Sequence, residues 1–557
     1  MKMKMKMKIN GLLCLILAMV LSTSCSDNAK MKGLLEHVPA GMDVVLVGNV
    51  KTIVESAGGT MEDSKIQLPK FIMNALPDDA SEGMDKCNRF LKKSGVDIDA
   101  CAMVVNYKEN HPVFVFALND RDKFVEAIED EGFKEKSSEG DFVIYSAKVS
   151  EGSDPDYDDY AYIAVDGSCA YWIDNVWVGS DFKPVPYLEQ LIDDAKENSY
   201  ANTSCGAYIV EGNAGGLAVT FPKDVEKELK VRGMPSELAS LYSGSVCMRG
   251  NLTNNQCTLE VKLFDQDGQE ISAEKYSKLM DTSATISEKA LSLLGSDEFM
   301  IYAMSLKNFN WDNYADMMAE AAGMGRSDRA QLNAVMSYFE KVDGTVAWGF
   351  GLTKGIESIE NFYCNKEPMN QFSSTLVVEV KEGKAKQMIE DLKGFMEKAE
   401  LPFEETSNGL TFNFENIGES GSLYIKNIDK FIVMANHPIK EDNDNPLVKS
   451  TDFVNYLSVF CISLPKDNKL MRDLRVKNDV KLGLYCKPNT METSMTLDID
   501  GDDETGVIAK AAKIVINMVE QSEDIARRME KMRWQEDDLA VDTCVVDETV
   551  YVDSIAY

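Results

Sequence analysis

Histidine is nearly absent from this chain: His37, His111 and His437 are the only three in 557 residues. They are scattered, and two stand beside prolines, Pro112 and Pro438, in expected loops. No His-x-x-x-His pair exists for a metal, and no Gly-x-Ser-x-Gly elbow offers a nucleophile to a histidine base. No Cys-x-x-Cys occurs, which removes zinc ribbons and dithiol redox motifs. A Walker loop and a strand–GxGxxG–helix are also missing, so no cofactor is expected. Positive charge is short as well, with 58 Lys+Arg against 92 Asp+Glu and a net charge of −34. That deficit argues against nucleic acid as a partner, because a phosphate backbone needs a basic patch. Past the first residues no stretch of 18 uninterrupted apolar residues occurs, so no later membrane span is expected.

What is present begins with the N-terminus. Lys2, Lys4, Lys6 and Lys8 alternate with methionine ahead of the ten-residue apolar run Leu12 to Leu21. The run is too short to span a bilayer, which takes roughly 20 residues, and reads as the core of a secretory signal. Ser22, Thr23 and Ser24 follow, and then Cys25. This resembles the bacterial lipobox, in which the cysteine is lipidated and becomes the first mature residue; here Leu21 stands four positions before it, where the usual motif has three. The membrane is therefore an expected partner, through an N-terminal lipid anchor on Cys25. Ser26 fits outer-membrane sorting, and Asp27 alone makes a poor acidic surface-export signal. The periplasmic face of the outer membrane is expected ahead of the cell surface.

The remaining cysteines sit mostly singly inside strand-like apolar runs, such as Cys101, Cys169, Cys205 and Cys461, where cysteine acts as a small hydrophobe. The one pair that suggests a disulfide is Cys247 with Cys257, on the two arms of an apparent hairpin.

Two segments of the chain repeat the same order of parts. VVLVGNVKTI (44–53) matches MIYAMSLKNF (300–309), 256 residues later. An apolar strand at 113–118 leads into a helix from Asp120 to Glu131 stopped by Gly132, and 375–380 leads into a helix over 383–399. Meanders follow at 142–180 and 410–435. Hairpins ending in acidic turns close both segments, at 245–268 and 481–501, with helices expected near 273–294 and 505–532. The expected architecture is α+β: two tandem related units, each a mainly antiparallel sheet with helices on one face. The boundaries are a signal at 1–24, a tether at 25–36, units at 37–295 and 296–534, and an acidic tail at 535–557.

A lipobox followed by His-Val-Pro-Ala-Gly-Met-Asp-Val-Val-Leu-Val-Gly-Asn-Val-Lys (37–51), opening a duplicated α+β unit, resembles a family of Bacteroidota lipoproteins catalogued as domain of unknown function 4836. The likeness covers nearly the whole mature chain and brings no activity, ligand or site residue with it.

Three acidic stretches could hold calcium: Asp154 to Asp159, Asp265 to Glu270, and Asp498 to Glu504. The last starts like an EF-hand loop but has Asp503 and Ala509 where glycine and glutamate are required. All three are read first as solvated turns, and no metal site is expected. Trp172 and Trp177 flank Asp174-Asn175, read as a two-residue hairpin turn, which would put both indoles on one face as core or as a glycan platform. No catalytic residue stands out. The expected function is that of an exported, lipid-anchored, non-enzymatic protein that binds or scaffolds an unidentified envelope protein or glycan. The alternative is a hydrolase, glycan-directed, using acidic residues that the sequence does not single out.

Overall fold

The computed structural model describes residues 28–543, except 63–64, 76–77, 140–141, 151–158, 178–180, 233, 235–238, 278, 365–370, 415–420, 491 and 502–504. The signal segment 1–24, Cys25 and residues 544–557 lie outside the described residues.

The protein is mixed α+β around one antiparallel sheet of 20 strands, beside a separate two-stranded hairpin at Thr60–Glu62 and Lys65–Gln67. Across the large sheet, the first ten strands in space are Lys134–Glu139, Phe142–Ser150, Asp159–Asp166, Cys169–Trp177, Val113–Leu118, Val96–Val105, Val44–Asn49, Gly215–Thr220, Ser245–Leu252 and Gln256–Phe264. The next ten run Thr493–Asp500, Asp479–Cys486, Ser458–Leu464, Met300–Ser305, Val342–Leu352, Phe372–Val380, Phe431–Ala435, Ser422–Ile428, Gly409–Asn413 and Glu404–Thr406. The two sets meet where Gln256–Phe264 pairs with Thr493–Asp500. Thr258 faces Thr496 there, with Cys257 opposite Leu497 and Leu259 opposite Met495.

Strand side chains alternate between the two faces, and burial follows the alternation. In Met300–Ser305, Ile301, Ala303 and Ser305 are buried while Met300, Tyr302 and Met304 are more open. In the N-terminal half both faces are covered, which corrects the expectation of helices on one face. Val45, Val47 and Val115 pack under helices Asn28–Leu35, Pro184–Glu197 and Ser204–Ile209. Cys101, Phe114 and Phe116 pack on the other face under Val50–Ser56, Asp78–Ser94 and Arg121–Asp130. A strand apolar on both sides needs a layer on each, since each large side chain removed from water contributes about 1.5–3 kcal/mol. The Arg121–Asp130 helix begins at Asp120, whose carboxylate accepts the Lys123 N–H at 3.1 Å, a cap that satisfies one of the unpaired donors of the first turn. Gly132, at φ 93°, follows its end.

In the C-terminal half one face is filled by Ile286, Ala290, Leu291, Leu293 and Leu294, with Leu447 and Phe453, over Ile301, Ala347, Val377 and Cys461. On the opposite face the helix Lys384–Lys398 covers the far end, over Leu410, Phe412, Ile425 and Ile432, and the start of the helix Val507–Thr543 packs on Cys257, Val480 and Leu497 at the junction end.

Several expected boundaries move. The tether at 25–36 is in large part the helix Asn28–Leu35, with Met31, Leu34 and Leu35 fully buried. The second core starts by Ile286, ahead of the expected division at 295. The helix expected over 273–294 is two short turns, Ala273–Tyr276 and Glu288–Leu291. The last helix, Val507–Thr543, runs nine residues into the expected tail. No hairpin turns at Asp174-Asn175, because Cys169–Trp177 is one strand.

Candidate functional site

The residues the sequence singled out do not converge. Cys247 pairs with Lys262 and Cys257 with Leu252, an odd number of positions apart, so the two thiols point to opposite faces of the hairpin and both are free. The expected disulfide between them is not formed. Burial pushes the Cys257 thiol up to about 11. Trp172 and Trp177 share one strand and are not cross-strand partners; Trp172 instead stands opposite Ile163 and Phe114. It lines a small apolar cavity of about 60 Å³ with Phe90, Leu91, Phe116 and Phe124, so the glycan-platform geometry is not there.

Among the acidic stretches, Asp265 accepts the N–H groups of Asp267 (3.0 Å) and Gln269 (2.8 Å), and Glu270 pairs with Lys262 at 2.9 Å. That is a self-contained turn. Asp498 accepts from the Gln256 amide at 2.6 Å, while residues 502–504 and 154–158 lie outside the described residues. Among the described residues no group of three His, Cys, Asp or Glu side chains is placed to hold a metal ion. A polar cleft of about 680 Å³ near the junction carries Lys466, Arg475, Lys477 and Lys513 together with Asp479 and Asp500.

His437 is not the plain surface residue its loop position suggests. Its Nε2 lies 3.6 Å from Oε1 of the fully buried Glu298 carboxylate and 3.0 Å from Thr375 Oγ1. Glu298 Oε2 accepts the Gly295 N–H at 2.9 Å, and its carboxylate fills the space that a Cβ at Gly349 would need. The nearby Glu298 carboxylate is the main cause that raises the His437 pKa, against the lowering by burial. A hydroxyl, an imidazole and a carboxylate thus lie together, but both contacts fall on one ring nitrogen. A proton relay needs its nucleophile and its orienting acid on opposite nitrogens, so this arrangement holds structure rather than performing acyl transfer. His111 stacks on Phe182 at 4.0 Å, and burial lowers its pKa. The His37 carbonyl accepts the Tyr171 hydroxyl at 3.2 Å.

The feature with binding character was not found from the sequence. Strand register places one apolar residue from each of eight adjacent strands in a single row: Leu259, Met495, Leu484, Phe460, Tyr302, Trp348, Leu376 and Met434. Seven steps of about 4.8 Å make this stripe roughly 34 Å long. One row beside it holds Leu497, Leu482, Ile462, Met300 and Phe350. The other holds Val261, Met304, Val346 and Val378, with Thr493, Cys486 and Ser458 between them. None of these positions is charged, in a chain where 27% of residues are. Most are half-buried, and Tyr302, Trp348 and Leu484 are 37%, 39% and 40% exposed. The Trp348 indole N–H is satisfied by Ser374 Oγ at 2.8 Å, so the ring offers its apolar body without an unpaired donor. Beyond Leu259 the row continues through Gly250, Gly215 and Gly48, which carry no side chains.

On the reverse side of the junction strands stand Arg249, Glu260, Lys262, Thr258 and Asp498, with Arg249 bonded to Glu260 at 2.6 Å. That face is at ease in water. The stripe face carries no charge in these rows, and between the helix on Leu497 and the helix on Ile432 it stays partly open. Helices Trp311–Ala321 and Arg326–Phe339 belong to the same half, pack on each other, and expose Met318, Val335, Tyr338 and Phe339.

No protein-family model and no curated protein matches the chain. Solved structures of TP0453 are similar to part of it. Crystal form III is 12% identical over 41% of this chain and 79% of that one, with a TM-score of 0.23. Form IV is 13% identical over the same shares at 0.23, and form I is 13% identical over 41% and 77% at 0.21. Overlap at that level carries no argument about fold or function.

Proposed function

We propose that this is a non-enzymatic, lipid-anchored cell-envelope protein that holds an elongated aliphatic chain against the open face of its C-terminal half. The carrying observation is the uncharged stripe through Tyr302, Trp348 and Leu484. An aliphatic chain suits it better than a peptide strand would. A strand binds at a sheet edge, where backbone donors and acceptors are free, whereas this surface is the middle of a fully paired sheet. Met495, Met304, Met300 and Met434 give a polarisable lining that adapts to a flexible ligand. The length of roughly 34 Å exceeds the half-thickness of a bilayer core of about 30 Å, the reach of one acyl chain.

A fluorescent long-chain fatty acid should bind the mature protein saturably, one per chain. Trp348→Asp and Leu484→Asp should each weaken binding at least tenfold while leaving circular dichroism unchanged. Equal binding by all three proteins would sink the proposal.

The anchoring belongs to the same proposal, with Cys25 as the lipidated residue, the periplasmic face of the outer membrane as the site, and membership of the resembled lipoprotein family. Cys25→Ala should lose palmitate labelling and leave the membrane fraction; unchanged fractionation would count against it.

We also propose that the two halves are tandem copies of one unit. The central strand Val44–Asn49 is flanked by Val96–Val105 and Gly215–Thr220, as Met300–Ser305 is by Val342–Leu352 and Ser458–Leu464. The outward order then matches strand for strand. Thr-Leu-Glu-Val (258–261) and Thr-Leu-Asp-Ile (496–499) meet across the junction with threonine opposite threonine, as a local two-fold requires. Superposition of the halves in an experimental structure tests this.

A further inference from the structure

We propose that Cys205 and Cys247, buried together in the N-terminal core, are a latent disulfide that closes when the protein meets an oxidised thiol–disulfide exchange partner. Cys205 sits in the first turn of the helix Ser204–Ile209, whose Thr203 cap accepts the Gly206 N–H at 2.9 Å. This helix lies directly on the sheet, close enough that a Cβ at Gly216 would come within 2.8 Å of the Ile209 Cβ. Cys247 is on the strand Ser245–Leu252, opposite Ala218, and points into the same core as Cys205. The two sulfurs are in hydrogen-bonding reach, with Ser245 and Tyr200 also at the Cys205 thiol. Those bonds, that from Cys247 the largest, hold the Cys205 thiol down to about 7, while the same contact and burial push Cys247 up. Cys205 is the less buried of the two and so the one placed to meet the partner first. Cys169 shares the core but bonds Tyr171 instead.

The chemistry is two exchanges. The Cys205 thiolate attacks one sulfur of the partner disulfide, forming a mixed disulfide and expelling the first thiolate. Cys247 then gives up its proton and attacks the Cys205 sulfur, expelling the second. Two electrons leave the protein, and the partner is reduced to two thiols. The product ties a short helix to a strand across the 205–247 loop, which restricts the unfolded chain.

The test treats the folded mature protein with oxidised glutathione, denatures it, alkylates free thiols and maps the peptides. The expected result is a Cys205–Cys247 crosslinked peptide, lost in Cys205→Ser and in Cys247→Ser but kept in Cys257→Ser. The oxidised wild type should also melt several degrees above its reduced form, a difference missing from Cys205→Ser. Should either serine variant fail to fold, the wild-type map alone decides. Both thiols remaining alkylatable after full oxidation, or Cys247 linked to a different cysteine, would overturn the inference.

Discussion

Helix Asp78–Ser94 and helix Arg326–Phe339 each directly precede the long strand next to the central one of their half, yet they meet the sheet differently. The first buries Met84 and Leu91 and is locked by Asn88, whose amide bonds both the N–H and the C=O of Ile66 at 2.7 and 2.8 Å. The hairpin Thr60–Gln67, which carries Ile66, thereby closes the layer over Phe114 and Phe116. In the C-terminal half the corresponding span of chain is two helices that pack on each other and leave Tyr302 and Trp348 more than a third exposed. Two stretches of one sheet thus carry a sealed layer and a more open one. In the first, the hairpin and Asn88 add to the layer built by Val50–Ser56 and Arg121–Asp130.

The largest expected effect sharpens that contrast. Phe116→Ala, under the closed layer, should cost about 3–5 kcal/mol in urea unfolding, and Trp348→Ala on the open face less than half of that, about 1–2 kcal/mol. Equal costs would mean that the stripe is covered in solution. Asn88→Ala should come next, at about 1–3 kcal/mol, because it strands the Ile66 backbone groups. It should also raise binding of a hydrophobic dye to the N-terminal half; no change in dye binding would show that the hairpin is not what seals it.

The smallest effect concerns pH and has opposite signs in the two halves. His437 has a raised pKa, caused first by Glu298. Its contribution is full below about 6.5, the unfolded value, and is lost as pH rises through the higher folded value. The pKa of His111 is lowered, by burial first. Its contribution is full above about 6.5 and is lost as pH falls through the lower folded value. His437→Gln should flatten the alkaline side of the melting profile and His111→Gln the acid side, each by roughly 1–3 °C. Matching effects on one side would break the assignment.

Many of the strands, and the antiparallel pairing, were legible in the sequence. The runs at 44–49 and 300–305 fall at equivalent central positions, and Gly132 follows its helix as expected. The Asp174-Asn175 turn was misread because Asp-Asn resembles turn chemistry, whereas here strand pairing with Asp159–Asp166 keeps the chain extended. Helices on both faces were missed because strands such as Phe-Val-Phe-Ala are apolar throughout, which signals burial without saying by what. The stripe was hidden for the same reason. Met-Ile-Tyr-Ala-Met and Val-Ala-Trp-Gly-Phe are apolar on both sides, and only the three-dimensional course of the helices shows which part of one side stays exposed. His437 and Glu298 lie 139 positions apart, with no local pattern to connect them.

The ends of the sheet have a consequence of their own. The strand at one border, Lys134–Glu139, reads Lys-Glu-Lys-Ser-Ser-Glu, and that at the other, Glu404–Thr406, has three residues, two of them glutamates. The longer, β-prone strands Gln256–Phe264 and Thr493–Asp500 pair with each other at the junction. Among the described residues the two borders of the large sheet are thus short and charged, so an incoming strand would have to desolvate charged side chains to pair there. Edge-to-edge pairing is disfavoured at both margins, and parting the halves would expose two less protected edges. A protease cut or a mutation that unzips Thr258 from Thr496 would turn a self-limited particle into one with two adhesive edges.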